Sequence, residues 1–155
     1  MDLARNLIIE SVSRLNPRAP VTATAGQTAA EAAALMRDNH TGCVLVCDGG
    51  KLAGIFTERD LVLKVMAKGR PLTTPLRECM TPQPATVQAK EPIGVALRKM
   101  QAGGYRHLPV VGEDGKPVGY ITVNRIIHYL VEHFPATIYN LPPNQDEIPH
   151  EREGA

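Results

Sequence analysis

Apolar positions along the chain alternate between the spacing of helices and the spacing of strands. Over residues 3–15 they recur at helical intervals and stop at Asn16-Pro17, which predicts a short amphipathic helix. This segment carries two cations, Arg5 and Arg14, which are too few to favour a membrane-surface helix. We therefore expect the helix to form a cap on the main body of the protein.

The pattern of apolar and polar positions then occurs twice. At an offset of 64 residues, which becomes 65 after a one-residue insertion, ten positions are identical and in the same order. The identical pairs are Pro20 and Pro84, Thr22 and Thr86, Ala25 and Ala89, Ala32 and Ala96, Met36 and Met100, Val46 and Val110, Gly50 and Gly115, Lys51 and Lys116, Gly54 and Gly119, and Thr57 and Thr122. Such self-similarity predicts a tandem duplication.

Each copy predicts the element order β-α-β-β-α. In the first copy the elements are residues 21–24, a helix opened by the capping box Thr28-Ala-Ala-Glu31, and residues 43–47, 52–56 and 59–67. In the second they are residues 85–88, a helix with Pro92 in its first turn, and residues 108–111, 118–121 and 124–133. Because a half of about 50 residues cannot bury such a sheet alone, the halves are expected to pack together through their sheets.

These elements divide the chain into five predicted segments. They are an N-terminal helix (1–17), a first repeat (18–68), a linker rich in Pro and polar residues (69–83), a second repeat (84–134) and a C-terminal tail (135–155). The polar tail is expected to lie along the surface or to be partly disordered.

Composition narrows the class of protein. With 155 residues and 43% apolar composition the chain can bury one ordinary core, and it has no run of about 20 apolar residues that would predict a membrane helix. A net charge of +1 predicts no nucleic-acid partner. The three cysteines leave one unpaired in any intramolecular scheme, and the start lacks the pattern of a secretory signal, so we expect a cytoplasmic protein.

The junction Gly54-Ile-Phe-Thr57-Glu-Arg-Asp60 carries the most specific chemistry. A helix start stabilises a phosphate through its free amides and dipole, to which Thr57 can add a hydroxyl donor. Asp60 can accept hydrogen bonds from two vicinal hydroxyls, as a ribose offers. Thr57 and Asp60 also match a capping box that needs no ligand, so both interpretations stay open on the residues alone.

Catalytic and metal-binding patterns are weak. The sequence contains no nucleophile elbow, Walker loop or paired general acid and base. Cys43 and Cys47 share a face of a predicted strand, but no His stands at metal-ligand spacing beside them, so we expect core residues. We expect a protein that is not an enzyme and holds no metal.

Residues 18–133 resemble a pair of cystathionine-β-synthase (CBS) domains. The resemblance is carried by the order of six motifs: Ala-Leu-Met-Arg-Asp-Asn-His, Cys-Val-Leu-Val-Cys-Asp, Gly-Ile-Phe-Thr-Glu-Arg-Asp-Leu, Met-Thr-Pro, Gly-Gly-Tyr-Arg-His-Leu-Pro-Val-Val and Gly-Tyr-Ile-Thr. It implies a fold between the α+β and α/β classes, in which two repeats pack through their sheets as one pseudo-two-fold module. It also implies a disc-like homodimer with adenosyl ligands in the clefts between repeats.

The resemblance also implies a set of ligand-binding residues. Residues 54–60 match the family pattern Gly-hydrophobic-x-Thr/Ser-x-x-Asp. The implied contacts are Gly54 and Ile55 beside the base, Thr57 and Asp60 at phosphate and ribose, Ala85 and Thr86 along the adenine, and Arg106 and His107 facing the phosphates. Arg59 could reach a phosphate, although it, like Arg106 and His107, also fits a solvated residue at the start of an element.

The second copy departs from this pattern. Thr122 is kept, but Arg125 stands where the carboxylate should be, and a guanidinium cannot accept hydrogen bonds from hydroxyls. Arg125 could instead meet a phosphate or pair with an acid. We therefore expect one competent nucleotide site per chain.

The function expected from the sequence is regulatory. The chain is expected to bind AMP, ADP, ATP or a related adenosyl ligand such as S-adenosylmethionine or NAD, and to act as a homodimeric sensor on a protein target that the sequence does not identify. The alternative is an interaction and dimerisation module without a ligand, in which Thr57 and Asp60 only cap a helix.

Overall fold

Two sheets, one from each repeat, organise the protein. The computed structural model describes residues 2–140. Its elements are α1 (Leu3–Ile9), a 3-10 turn (Val12–Leu15), β1 (Thr22–Thr24), α2 (Ala29–Asp38), β2 (Cys43–Asp48), β3 (Lys51–Thr57), α3 (Glu58–Asp60), a π-helical segment (Leu61–Met66), α4 (Leu76–Cys79), β4 (Thr81–Pro82), α5 (Ile93–Gly103), β5 (His107–Val111), β6 (Pro117–Thr122), α6 (Val123–His133) and α7 (Pro135–Tyr139). The fold is the expected pair of repeats, β-α-β-β-α in the first, with the first strand of the second reduced to a single bridging residue.

The first sheet has the strand order β1-β2-β3-β4. Strand β1 runs parallel to β2, while β2 with β3 and β3 with β4 are antiparallel. In the second sheet β5 and β6 pair in antiparallel fashion. Single residues extend that sheet at both edges, because Val87 bridges Val110 in parallel and Arg18 bridges Tyr120 in antiparallel fashion.

The outermost backbone pairing of each sheet is made by the segment of chain that leads into the other repeat. Strand β4 precedes the second repeat but pairs with β3, and Arg18 lies at the start of the first repeat but pairs with Tyr120. A Cβ at Gly54 would lie 2.5 Å from Met80 Sδ, and a Cβ at Gly119 would lie 2.7 Å from the Arg18 carbonyl oxygen. The repeated glycine therefore lets a crossing segment approach the last strand of each repeat.

The sheets meet in a small cluster between two larger cores. Cys43, Leu45 and Ile55 of the first sheet pack with Tyr120 of the second. The buried Tyr120 hydroxyl is 2.6 Å from Thr41 Oγ1. This contact confirms that the repeats pack through their sheets.

The N-terminal segment is a cap, but it is not one helix. Leu3 and Leu7 of α1 pack against the core of the second repeat, and the predicted helix over residues 3–15 is interrupted after Ile9. The interruption has a physical cause, because the Glu10 carbonyl oxygen accepts a bond from Ile93 N–H and Val12 N–H donates to Glu91. These bonds replace the helical hydrogen bonds.

One prediction at the start of the second repeat needs correction, because residues 85–88 do not form a full strand. Val87 alone bridges to a strand. The Thr86 carbonyl oxygen accepts from Lys99, and the Gln88 amide donates to a Glu91 carboxylate, both at 2.7 Å. The predicted linker contains α4 and β4.

The helix predicted over residues 59–67 begins as a single α-turn and continues as the π-helical segment Leu61–Met66. Such π-helical turns occur frequently at functional sites.

The capping box of Thr28 and Glu31 is confirmed. The tail forms α7 before Asn140, and the rest of its predicted course lies outside the described residues. Within residues 2–140, no helix is both long enough and apolar enough to cross a bilayer.

Candidate functional site

A cleft of about 820 Å³ opens between the two repeats beside α3. The first repeat and the linker line it with Gly42, Ile55, Thr57, Glu58, Arg59, Asp60, Leu63, Lys64 and Thr81, and the second repeat with Pro84, Ala85, Gly103, Gly104, Tyr105, Arg106 and His107. The first wall therefore carries the Asp60 carboxylate together with Arg59 and Lys64, and the second wall carries Arg106 and His107.

Asp60 is the buried carboxylate of this cleft, with 7% of the residue exposed. Its Oδ2 accepts from the Thr57 amide at 3.0 Å and from the Thr57 hydroxyl at 3.1 Å. Its Oδ1 accepts from the Thr81 hydroxyl at 3.1 Å and lies 2.8 Å from the Lys64 ammonium. The side chain is thus held in one orientation by both repeat and linker.

The helix start beside Asp60 is already capped. Asp60 N–H donates to Thr57 Oγ1 at 3.2 Å, and Glu58 N–H donates to the Gly42 carbonyl oxygen at 3.1 Å. The expectation of free amides for a phosphate is not met at these positions, because the capping box and Gly42 supply their acceptors. The side-chain cations Arg59 and Arg106, which line the cleft, can meet a phosphate instead.

Arg106 and His107 lie on the opposite wall of the cleft. Arg106 is exposed, whereas His107 is half-buried at the first residue of β5. Burial lowers the pKa of His107 below its usual value, and the positive charges of Arg106 and Arg18 lower it further, against the opposing effect of Glu58. His107 is accordingly neutral at pH 7, so Arg106 supplies the permanent charge of this wall.

Two of the residues expected at the site lie elsewhere. Gly54 pairs with Pro82 of β4 and is not among the lining residues, and its absent side chain gives room to Met80. Thr86 is also outside the lining set, and its carbonyl oxygen accepts from Lys99. The other seven expected residues, Ile55, Thr57, Arg59, Asp60, Ala85, Arg106 and His107, line the cleft.

Sequence reasoning missed two partners of Asp60, Lys64 of the π-helical segment and Thr81 of the linker. Lys64 stands four residues after Asp60 and forms an ion pair with it. This spacing places both side chains on one helix face, so the ion pair could have been predicted from the sequence. Thr81 belongs to the Met-Thr-Pro motif, but its contact with Asp60 depends on the pairing of β4 with β3, which the sequence did not predict.

A second cleft of about 1070 Å³ lies on the other side of a shared wall. Gly42, Glu58, Arg106 and His107 line both clefts. The second cleft is also lined by Arg18, Ala33, Met36, Arg37, His40, Thr41, Leu61, Thr122, Val123 and Asn124.

Arg125 is turned away from the second cleft. It donates to the carbonyl oxygen of Asn16 from Nε at 3.2 Å and from Nη2 at 3.0 Å. Its partner is therefore a backbone carbonyl of the N-terminal segment, and of the two alternatives for Arg125, pairing with an acid is not seen among the described residues. In this position Arg125 ties the cap to α6.

Comparisons with known proteins agree on one family. The family model of the CBS domain matches the chain twice, over residues 12–67 and 76–132. An uncharacterized protein of Methanopyrus kandleri is 34% identical over 126 residues, which are 78% of this chain and 64% of that protein. The chain thus spans less than two thirds of the length of this curated relative.

Solved structures with bound adenosyl compounds share the fold. The structure of a CBS domain protein from Pyrobaculum aerophilum complexed with AMP has a TM-score of 0.70 and 26% identity, covering 79% of this chain and 99% of that one. The CBS domain pair of protein MJ0100 in complex with 5'-methylthioadenosine and S-adenosyl-L-methionine has a TM-score of 0.72 and 26% identity, covering 78% and 99%.

Proposed function

This chain belongs to the CBS domain family, and from that premise we propose that it is a regulatory, non-catalytic module that binds an adenosyl ligand. The candidates are AMP, ADP or ATP, with S-adenosylmethionine or NAD as alternatives. The observation that carries the proposal is a cleft with the Asp60 carboxylate on one wall and Arg106 with His107 on the other. Two similar structures hold AMP or S-adenosylmethionine.

The chemistry of the walls suggests how such a ligand lies. The ribose hydroxyls donate to the Asp60 carboxylate. The adenine rests on Ile55 and on the backbone of Ala85. The phosphates face Arg106 and His107, with Arg59 at the rim. Gly54 and Thr86 act indirectly, by shaping the walls.

We further propose that two copies associate through the helices that follow β3 and β6. Val62, Leu63 and Met66 of the π-helical segment are 50%, 53% and 62% exposed. Ile127, at the position of α6 equivalent to Val62, is 50% exposed. Exposed apolar residues on both of these helices suit a two-fold homodimer, in which one patch meets its own copy.

In such a dimer, a ligand that bridges both repeats favours one angle between them and so signals to a protein target. For the module itself we propose a cytoplasmic location, in line with three free thiols.

One observation favours a second candidate function. Asp60 and Thr57 form a complete capping box, in which each side chain bonds the other residue's backbone amide. The residues of the motif therefore have a structural role that needs no ligand, as an interaction or dimerisation module would require. Binding experiments distinguish the two functions.

The test is binding and thermal denaturation with millimolar AMP, ATP, NAD and S-adenosylmethionine. Mass action predicts about 2.7 kcal/mol of stabilisation at one hundred times the dissociation constant. Asp60→Asn should abolish the stabilisation, while the control Asp38→Asn, at an exposed carboxylate of α2, should retain it. No shift with any of the four ligands would favour the interaction module.

The dimer is tested by light scattering coupled to size-exclusion chromatography. Leu63→Glu combined with Met66→Glu should convert a dimer to a monomer, because it places charge in the apolar face. Val118→Glu is the matched control, since Val118 is 57% exposed on β6. A wild-type monomer, or a dimer that survives the double change, would contradict this interface.

A further inference from the structure

Protein donors occupy every acceptor position of the Asp60 carboxylate. An ionised carboxylate offers about four lone-pair sites on its two oxygens. Thr57 takes two of them on Oδ2, through its amide and its hydroxyl. Lys64 and Thr81 take the two on Oδ1. A ribose cannot bond Asp60 unless some of these donors leave.

We infer that Lys64 competes with the ribose for Asp60 and so weakens binding of every ribose-containing ligand. The inference rests on the proposed function, because it concerns the same cleft. In this arrangement one ribose hydroxyl replaces the Lys64 ammonium on Oδ1. The second hydroxyl replaces the Thr57 hydroxyl on Oδ2, which then becomes free to donate elsewhere.

Lys64 is the partner that can leave at least cost. Thr81 is held in place by the pairing of β4 with Ile55 of β3. The Thr57 amide is part of the capping box and cannot move without opening the helix start. The Lys64 side chain, by contrast, is 35% exposed and ends a flexible stem, so its ammonium can turn into water.

Lys64 also connects the cleft to the linker. Its ammonium donates to Thr81 Oγ1 at 3.0 Å and lies 3.4 Å from the Met80 carbonyl oxygen. When the ribose takes Oδ1, the ion pair that joins the π-helical segment to Asp60 is lost. Lys64 therefore links occupancy of the cleft to the segment that connects the two repeats.

The experiment measures the affinities of AMP and adenosine for four proteins by calorimetry. Lys64→Met keeps most of the stem and removes the charge, so it should bind both ligands roughly fivefold more tightly, the ratio expected for loss of a partly exposed ion pair. Lys64→Arg keeps a cation and should stay within about twofold of wild type. Lys68→Met, an exposed lysine next to the same helix, removes an equal charge and should change neither affinity.

Adenosine separates the proposed competition from a direct phosphate contact. If Lys64→Met weakened AMP and left adenosine unchanged, Lys64 would be a phosphate ligand and the inference would be wrong. Unchanged affinity for both ligands would also overturn it. If wild type and Lys64→Met bind neither ligand, the proposed function fails, whereas binding by Lys64→Met alone supports the competition strongly. Thermal denaturation of each variant confirms that it is folded.

Discussion

Replacing Gly119 with alanine should destabilise the protein more than the equivalent change at Gly54. The new Cβ at residue 119 would lie 2.7 Å from the Arg18 carbonyl oxygen and 3.1 Å from Pro17 Cβ. At residue 54 it would lie 2.5 Å from Met80 Sδ and 3.1 Å from the Thr81 carbonyl oxygen. The nearest obstacle is backbone in the first case and the end of a flexible side chain in the second.

The magnitudes follow from what each obstacle can do. Arg18 exchanges two backbone hydrogen bonds with Tyr120, at 2.9 and 3.0 Å, so its carbonyl cannot retreat without straining them. Overpacking of this kind costs about 1–3 kcal/mol, and we expect Gly119→Ala near the upper end. Met80 can turn aside, so we expect overpacking in Gly54→Ala to cost about 1 kcal/mol of stability. The lower conformational entropy of the unfolded chain offsets roughly 0.4–1 kcal/mol of that cost.

Urea and thermal denaturation measure both effects. At about 2–4 °C per kcal/mol for a chain of this size, Gly119→Ala should lower the melting temperature by roughly 6–12 °C and Gly54→Ala by no more than about 3 °C. Gly26→Ala is the control, because its Cβ would meet an Arg77 guanidinium nitrogen at 3.3 Å, the end of a movable side chain. Equal losses at 54 and 119 would refute the account of the two crossings.

Three further predictions concern side chains around the clefts and in the core. Arg125→Ala should lower the free energy of unfolding by about 1 kcal/mol, because its bonds to Asn16 are lost. The same change should leave the affinity for AMP within about twofold of wild type. A large loss of affinity would mean that the wrong cleft was chosen. The pKa of His107 in the folded protein lies below its unfolded value of about 6.5. The unfolded chain therefore binds protons more readily, and stability should fall as pH drops from about 6.5 through the folded pKa. Denaturation midpoints should fall less in His107→Gln than in wild type, and an identical fall would contradict the assignment. Burial raises the pKa of Cys43 to about 12. At pH 8 a thiol-reactive dye should therefore label the more accessible Cys47 well before Cys43. Equal labelling rates would argue against this packing.

The repeated elements were predictable because the same pattern occurs twice in the sequence. The strands around Val44 and Val110 and the capping box at Thr28 depend on local periodicity and local hydrogen bonds, which a sequence carries directly. The packing of the repeats through their sheets followed from the need to bury them, and Tyr120 at their junction confirms it.

What the sequence did not predict depends on contacts between distant segments. The N-terminal helix ends early because residues 10–12 bond to Glu91 and Ile93. Strand β4 forms because Gly54 leaves room for it beside β3. That strand brings Thr81 to Asp60, so the full set of partners of the carboxylate could be known only from the three-dimensional structure.

A crystal structure of the protein grown with saturating AMP would show whether the cleft beside Asp60 binds a nucleotide. We expect the nucleotide between the repeats, with both ribose hydroxyls on the Asp60 carboxylate and the phosphate turned toward Arg106 and His107. A nucleotide bound beside Thr122 in the second cleft while the first holds none, or crystals with no AMP in either cleft, would contradict it.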